Sequence, residues 1–353
     1  MTEALIPCPH FGTCGGCAMQ DRSDADVADW KRRQVVSALA EHGIKAEIRQ
    51  LHTSPPQSRR RAVLSGRRTK KTTQLGFYAR RSETLVSIET CLVLHPDIMA
   101  ALPDLHRVVK VAATRSSVVR ISVTVSAKGL DVAVGDARAR DASLDLAAPQ
   151  LARGFARLTW NDEVLIQNAV PIQTMDGIEV VPPPGGFLQA TECAQDVMIA
   201  TVCTALGKVG TVADLFAGSG TFSLPMARFG AVHAVENDAA ALASVDAAWR
   251  QATGLHLVTT ERRDLFRRPF LASELARFDA VVLDPPRAGA AAQIAEIAKS
   301  QVSRVVYVSC NPASFARDAA QLISAGFALD FVDAIDQFRW SNHVEIVAGL
   351  TRR

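Results

Sequence analysis

From residue 211 onward the chain repeats one pattern: a short run of β-branched and apolar residues, then a longer segment with helical spacing. The strand candidates are Thr211–Phe216, Ala231–Glu236, Leu255–Thr260, Phe278–Leu283, Arg304–Ser309, Ala328–Ala334 and Val344–Leu350. Strands that alternate with helices in this way form a parallel, doubly wound α/β sheet. Such a sheet gathers ligands and chemistry at the carboxyl ends of its strands. The residues that follow each strand therefore carry the functional information.

The fifth of these strands ends most abruptly. Val305 to Asp318 reads V-V-Y-V-S-C-N-P-A-S-F-A-R-D, and Pro312 cannot pair in a sheet, so the strand stops with Cys310 at its carboxyl edge. Ser314 then opens a helical segment through Phe315, Ala319, Leu322 and Ile323. Cys310 is a candidate nucleophile or, equally, a buried apolar cysteine at a strand end. Its neighbours decide. Asp214 to Phe222 is a strand, a turn containing Gly218 and Gly220, and a helix start, which lets a ligand approach the backbone and favours an anion. The next strand ends in Glu236, 16 residues past Gly220, where an acid can accept hydrogen bonds from both ribose hydroxyls. A dinucleotide loop would carry a third glycine, but Phe222 and Ser223 follow instead. S-adenosylmethionine fits better, because it has no pyrophosphate and brings only a methionine carboxylate to the helix start. The fourth strand ends Leu283-Asp284-Pro285-Pro286-Arg287. Methyltransferases of exocyclic amines place an aromatic residue after this D-P-P, and here a cation stands there. An amine lone pair needs no covalent activation, whereas a ring carbon does. Asp284 to Arg287 and Cys310 together point to carbon methylation.

At 353 residues the chain is long enough for two domains. Pro182-Pro183-Pro184-Gly185-Gly186 is the clearest punctuation, and Phe187-Leu188-Gln189-Ala190-Thr191 then leads into a helix ending near Leu206. The expected division is a cysteine-rich segment 1–23 completed by Cys91, an α+β domain 24–180, and a Rossmann-like domain 181–353. Within 24–180, Trp30 to His42 has helical spacing. Arg61–Leu64, Leu75–Tyr78, Leu85–Ile88, Val118–Val125, Leu130–Val134 and Phe155–Trp160 read as mainly antiparallel strands. Arg59, Arg60, Arg61, Arg67, Arg68, Lys70 and Lys71 cluster with no acid among them. That is the footprint of a phosphate-rich partner, or else a solvated face.

No apolar run approaches the ~20 residues of a membrane span, and the N-terminus lacks the pattern of a secretory signal. A cytoplasmic chain is expected, so its seven cysteines suggest metal binding or catalysis rather than disulfides. Cys8, Cys14 and Cys17 follow C-x5-C-x2-C with Gly12, Gly15 and Gly16 between them, and Cys91 is the next cysteine. Four sulfurs suit tetrahedral zinc or an iron–sulfur cluster, and spacing does not separate the two. His10 is an alternative ligand, and Cys193 and Cys203 read as core.

With these motifs in order, the chain resembles the RNA uracil-5 methyltransferases, the makers of 5-methyluridine in ribosomal and transfer RNA. The resemblance runs from Cys8 to the C-terminus. It rests on C-x5-C-G-G-C with a distant cysteine, F-x-Q, D-L-F-x-G-x-G-x-F, V-E, L-D-P-P-R, V-S-C-N-P and a late H-V-E. It implies a class I Rossmann-like domain and a [4Fe-4S] cluster on Cys8, Cys14, Cys17 and Cys91. It implies S-adenosylmethionine contacts from Gln189, Phe216, Glu236 and Asp284 beside the Gly218 turn, Cys310 as nucleophile, and Glu345 as base. The implied reaction adds Cys310 to uracil C6, methylates C5 and removes the C5 proton. Thr191 and Ala217 depart from residues common in the family, Asn and Cys. The RNA-binding β-barrel that many members carry ahead of the first cysteine is absent from this sequence, which shifts the expected RNA contact to Arg59–Lys71. The cluster cysteines favour ribosomal RNA over a transfer-RNA T-loop. A non-catalytic RNA-binding or assembly factor is the alternative of another class, and intact Cys310 and Glu345 speak against it. A monomer is expected.

Overall fold

The computed structural model describes residues 8–353. Helix α1 (Asp24–Glu41) starts at Ser23, whose hydroxyl accepts from the Asp26 N–H, and strand β1 (Gln50–Thr53) follows it. The chain then builds a smaller sheet. Strands β2 (Arg61–Arg68), β3 (Thr73–Tyr78) and β4 (Leu85–Ser87) form a meander, and helices α2 (Pro96–Ala100) and α3 (Leu102–Ala112) follow. Hairpin β5 (Val118–Ser126) and β6 (Gly129–Gly135) comes next, then α4 (Ala142–Leu151), β7 (Phe155–Trp160) and β8 (Glu163–Gln167). The sheet order is β4-β3-β2-β5-β6-β7-β8, antiparallel except where α4 crosses over between β6 and β7. Leu64, Leu75, Val119 and Ile121 of this sheet share a core with Leu105, Val108 and Val109 of α3.

A short hairpin, β9 (Gln173–Met175) and β10 (Ile178–Val180), leads through the proline turn to α5 (Glu192–Leu206). The alternating half follows: β11 (Thr211–Leu215), α6 (Ser223–Met226), β12 (Ala231–Glu236), α7 (Ala239–Gln251), β13 (Val258–Arg262), α8 (Ala272–Leu275) and β14 (Ala280–Leu283). It ends with α9 (Ala291–Lys299), β15 (Arg304–Ser309), α10 (Pro312–Ser324), β16 (Phe327–Asp336) and β17 (Glu345–Arg352). The eight-stranded sheet runs β13-β12-β11-β14-β15-β17-β16-β1, parallel except for β17, which is antiparallel to both neighbours. Strand β14 is buried along its whole length, and so is β15 from Val305 to Ser309, as strands covered on both faces must be. Order reverses at β11, so a crevice opens between the ends of β11 and β14. Because β17 runs against its neighbours, its first residue, Glu345, arrives at the same edge as Ser309 and Asp336, where β15 and β16 end.

The first two elements of the expected 24–180 domain pack with the Rossmann-like half. Strand β1 pairs in parallel with β16, from Gln50 opposite Asp333 to Thr53 opposite Asp336. Val35 and Leu39 of α1 share a core with Phe315 and Leu322 of α10. The Rossmann-like sheet thus borrows its outer strand and one covering helix from the N-terminal part, which blunts the β16 edge. Four residues reading Gln-Leu-His-Thr carry too little periodicity to announce this. The joint is fixed by Lys31. Its ammonium is fully buried, pairs with Asp336 and donates to the Phe338 carbonyl at 3.1 Å. Among the described residues no helix is long and apolar enough to cross a membrane.

Lys31→Ala leaves the Asp336 carboxylate buried without its partner and is expected to cost about 3–5 kcal/mol, read as a lowered urea midpoint. The volume-matched double variant Lys31→Met with Asp336→Leu should recover most of that loss.

Candidate active site

A cleft of about 1160 Å³ opens between the carboxyl edge of the large sheet and strands β2 and β3 of the small one. Gln189, Phe216, Gly218, Glu236, Asp284, Cys310 and Glu345 all line it. The turn after β11 sets its floor. Phe216 has φ +65°, and Gly218 and Gly220 follow at +53° and +88°. Phe216 is a non-glycine residue held in the left-handed region, a strain found where function demands a geometry. A side chain on Gly220 would press on Leu224 and Val245. Glu236, at the end of β12, accepts from the N–H groups of Asn237 at 2.6 Å and Asp238 at 3.0 Å, and from Gly218 at 3.2 Å. These bonds hold its carboxylate against the glycine turn. Phe216 and Phe266 stand 5.5 Å apart, centroid to centroid, and form an aromatic wall. Beneath the turn Asp214 is fully buried. One of its oxygens accepts from Ser223 Oγ, the other has no partner, and burial pushes the carboxyl up to about 7.

Cys310 sits on the turn after β15. Asn311 caps α10 by accepting from the Ala313 N–H at 3.2 Å, and its amide donates to the Arg287 carbonyl at 2.9 Å. The Cys310 turn and the Asp284–Arg287 turn are thereby tied together. Glu345 is buried, and one of its oxygens accepts from Gln337 Nε2 at 3.1 Å. The same nitrogen donates to Gln189 Oε1 at 2.8 Å, while Gln337 Oε1 accepts from the Ala190 N–H at 2.7 Å. With its oxygen engaged by a backbone donor, the Gln337 amide can only donate toward Glu345. Burial pushes Glu345 up to about 7, opposed by the Gln337 hydrogen bond and the Arg287 charge. Burial also holds Asp284 well above the usual carboxylate range, with Glu345 and Asp214 adding repulsion. The Cys310 thiol is pushed up to about 11 by burial, then by Glu345 and Asp284, against the pull of Arg287. The cleft thus presents a protonated thiol and a carboxyl poised near neutrality to one volume.

Cys8, Cys14, Cys17 and Cys91 line a separate cavity of about 40 Å³ together with Gln20 and Arg59. Gly15 donates to the Tyr78 carbonyl at 2.9 Å, and a Cβ at Gly15 would lie 2.7 Å from that oxygen. This contact lays the cysteine loop on the end of β3. Burial pushes the Cys17 thiol up to about 11. Gln20 opposes the rise, while Cys91, Cys14 and Cys8 add to it, as sulfurs gathered around one volume must. Among the described residues no three His, Cys, Asp or Glu side chains are placed to hold a single metal ion. His10 lines the same cavity and accepts from the Glu89 N–H at 3.3 Å. Ala18 and Met19 donate to the Trp340 carbonyl at 2.7 and 3.0 Å, and Phe338 and Ser341 line both cavities. The cysteine loop and the segment leading into Glu345 therefore share one wall.

The basic run is not one patch. Arg60 is buried and donates to Gln195 at 2.6 Å, Arg59 and Arg61 face the cleft, and Arg67 to Lys71 lie at the far end of the eight-residue β2. The length of β2 separates what the sequence clusters. Arg80 and Arg81, past the end of β3, join the cleft instead. Sequence reasoning also missed Gln337, Phe266 and Asp264. Gln337 follows β16 at the functional edge, so inspection of that strand end would have found it. Cys193, expected in the core, is exposed, with its sulfur 3.4 Å from Ser54 Oγ. Cys203 is half-buried.

This strand order, with a glycine turn after the first strand and an acid after the second, defines the Rossmann-like S-adenosylmethionine-dependent methyltransferases. The family model described as tRNA (Uracil-5-)-methyltransferase matches residues 166–353. An uncharacterized RNA methyltransferase of Brucella suis biovar 1 is 46% identical, over 98% of this chain and 84% of that protein. The 23S rRNA (uracil(1939)-C(5))-methyltransferase RlmD of Chromohalobacter salexigens is 32% identical, over 99% and 77%. The Pyrococcus abyssi tRNA (uracil-54, C5)-methyltransferase, solved with S-adenosyl-L-homocysteine, shares the fold. Its TM-score is 0.74 at 21% identity, over 96% of this chain and 86% of that one. The chain belongs to the RNA uracil-5 methyltransferase family and is an S-adenosylmethionine-dependent RNA methyltransferase.

With Glu345 as the expected base, which must be ionised to act, and burial raising it to about 7, methylation is expected to rise with pH through that range. Gln337→Leu removes a donor that favours the carboxylate and should move this acid limb up by about one pH unit. A pH profile of kcat checks the shift.

Proposed function

We propose that the chain methylates C5 of a uridine in ribosomal RNA through a transient bond between Cys310 and uracil C6. The observation that carries this reading is that Cys310, Glu345 and the residues expected at the cofactor all line one cleft. S-adenosylmethionine supplies the electrophilic methyl group. Glu236 would hold the cofactor's ribose, and Phe216, the Gly218 turn, Gln189 and Asp284 would complete its site. Cys310 releases its proton to water in the open cleft as its sulfur bonds to C6, which turns C5 into a nucleophilic enolate carbon. The sulfur takes a proton back from water when the C6–sulfur bond later breaks. C5 takes the methyl group, Glu345 takes the C5 proton, and the C6–sulfur bond breaks to restore the ring. The acids beside Cys310 repel a free thiolate, so sulfur becomes nucleophilic only with a ring in bonding reach. The target base is swung out of its stack to enter the cleft.

The four cysteines line one cavity, and the family resemblance points to a [4Fe-4S] cluster held there rather than zinc. The cluster would pin the cysteine loop and Cys91 together beside Phe338. Ribosomal RNA is supported by the 32% identity to RlmD, spread over almost the whole chain. The transfer-RNA enzyme shares only the fold at 21% identity. A monomer fits a cleft whose lining residues all come from one chain.

RNA carrying 5-fluorouridine, which offers no removable C5 proton, is expected to trap wild-type protein as a denaturant-stable adduct. Cys310→Ala should form none while keeping its S-adenosylmethionine affinity, and Glu345→Gln should accumulate adduct on ordinary uridine RNA. Mapping 5-methyluridine in cells with and without the gene should show a loss in ribosomal RNA and none in transfer RNA. Purified protein should contain iron and sulfide in equal amounts, and Cys91→Ser should lose both.

A further inference from the structure

Cys310 borders two cavities, and the reaction described above uses one. The second is a groove of about 600 Å³. One wall is the face of α1 that carries Arg33, Gln34 and Ser37, and the other is formed by Asn311–Ala313 and Asn342–Val344. Arg287, Cys310 and His343 line both the groove and the cleft, so the two are continuous at the sulfur.

The lining is polar and leans positive, with Arg33 and Arg287 against the single acid Glu41. Neither arginine has an acidic side chain within ion-pair distance among the described residues. The neighbouring Arg32 of α1 is instead paired with Asp29 at 3.3 Å, and Arg339 is paired with Asp24. Helix α1 thus leaves one guanidinium unneutralised, and it is the one that faces the groove. A base swung into the cleft leaves its own sugar–phosphate chain outside. That chain must pass the pocket mouth on both sides of the target nucleotide. Arg59, Arg61, Arg80 and Arg81 stand along the cleft on the side of the small sheet. The other side is this groove, of a size that holds a ligand of nucleotide class.

We infer that the groove seats the RNA backbone adjoining the target uridine, with Arg33 and Arg287 meeting its phosphates. Phosphate contacts fix register without reading sequence, so the groove would aim the uracil at Cys310 rather than select it. This rests on the RNA-methylating reading above and adds the path of the strand.

The test is filter binding without cofactor, using unmodified large-subunit ribosomal RNA and a uridine-rich single-stranded oligoribonucleotide over a range of salt. Arg33→Gln is expected to weaken binding about fivefold near physiological salt and to reduce the slope of log affinity against log salt by about 1. Arg32→Gln, which removes the same charge outside the groove, should stay within about twofold with its slope unchanged. Affinity for S-adenosylmethionine should be unaltered in both, which shows that the fold is intact. Equal behaviour of the two variants, or an unchanged slope for Arg33→Gln, overturns the groove assignment alone. Wild-type protein that binds these RNAs but, in a parallel assay with S-adenosylmethionine added, never methylates them overturns the methyl-transfer reading and leaves the groove standing. Absence of RNA binding by wild type overturns both.

Discussion

One carboxamide holds the site together. Gln337 is oriented by the Ala190 N–H, and from that fixed position it donates to Gln189 and to Glu345. It thereby joins the segment after the proline turn, the end of β16 and the start of β17. A carboxyl buried as deeply as Glu345 is costly without a donor, and the single donor it has is held from the other side by backbone. The segment carrying Gln337 is itself fastened twice. Lys31 of α1 grips Asp336 and the Phe338 carbonyl, and the cysteine loop grips the Trp340 carbonyl. Parts of the chain remote from the cleft therefore decide where Glu345 stands.

The electrostatics divide between interior and rim. Inside, burial raises Asp214, Asp284 and Glu345, and the burial of Cys310 itself, with Glu345 and Asp284 adding to it, keeps its sulfur protonated at rest. Around the mouth stand Arg59, Arg61, Arg80, Arg81 and Arg287, and the rim favours a polyanion that the interior would repel. An uncharged uracil ring can enter while its phosphates stay outside. This division also explains why a net charge of only +3 says little about the partner.

Much of this was legible because buried parallel strands are written as apolar runs and end at the functional edge. Ala231–Glu236 and Arg304–Ser309 match the expected spans, and Cys310, Glu236 and Asp284 were legible as strand-end residues. Cys91 was matched to the N-terminal cysteines by type alone, and the β3–β4 meander brings it to them. Other features were hidden for physical reasons. Strand β1 is too short to show a period, and its membership of the large sheet is a long-range pairing with β16. The charge cluster at Arg59–Lys71 is a property of the linear chain, and an eight-residue strand carries its two ends apart. Gln337 belongs to no motif, and its meaning lies in three partners, two of them distant in the chain.

The central claim is that sulfur activates a ring carbon and that Glu345 completes the exchange of hydrogen for methyl. Its most direct measurement is tritium release from RNA labelled at uracil C5, followed alongside methyl incorporation. The expected result is one tritium released for each methyl group gained by the wild-type enzyme, and neither event with Cys310→Ala. Methyl incorporation with the label retained, or an undiminished rate in Cys310→Ala, would contradict it.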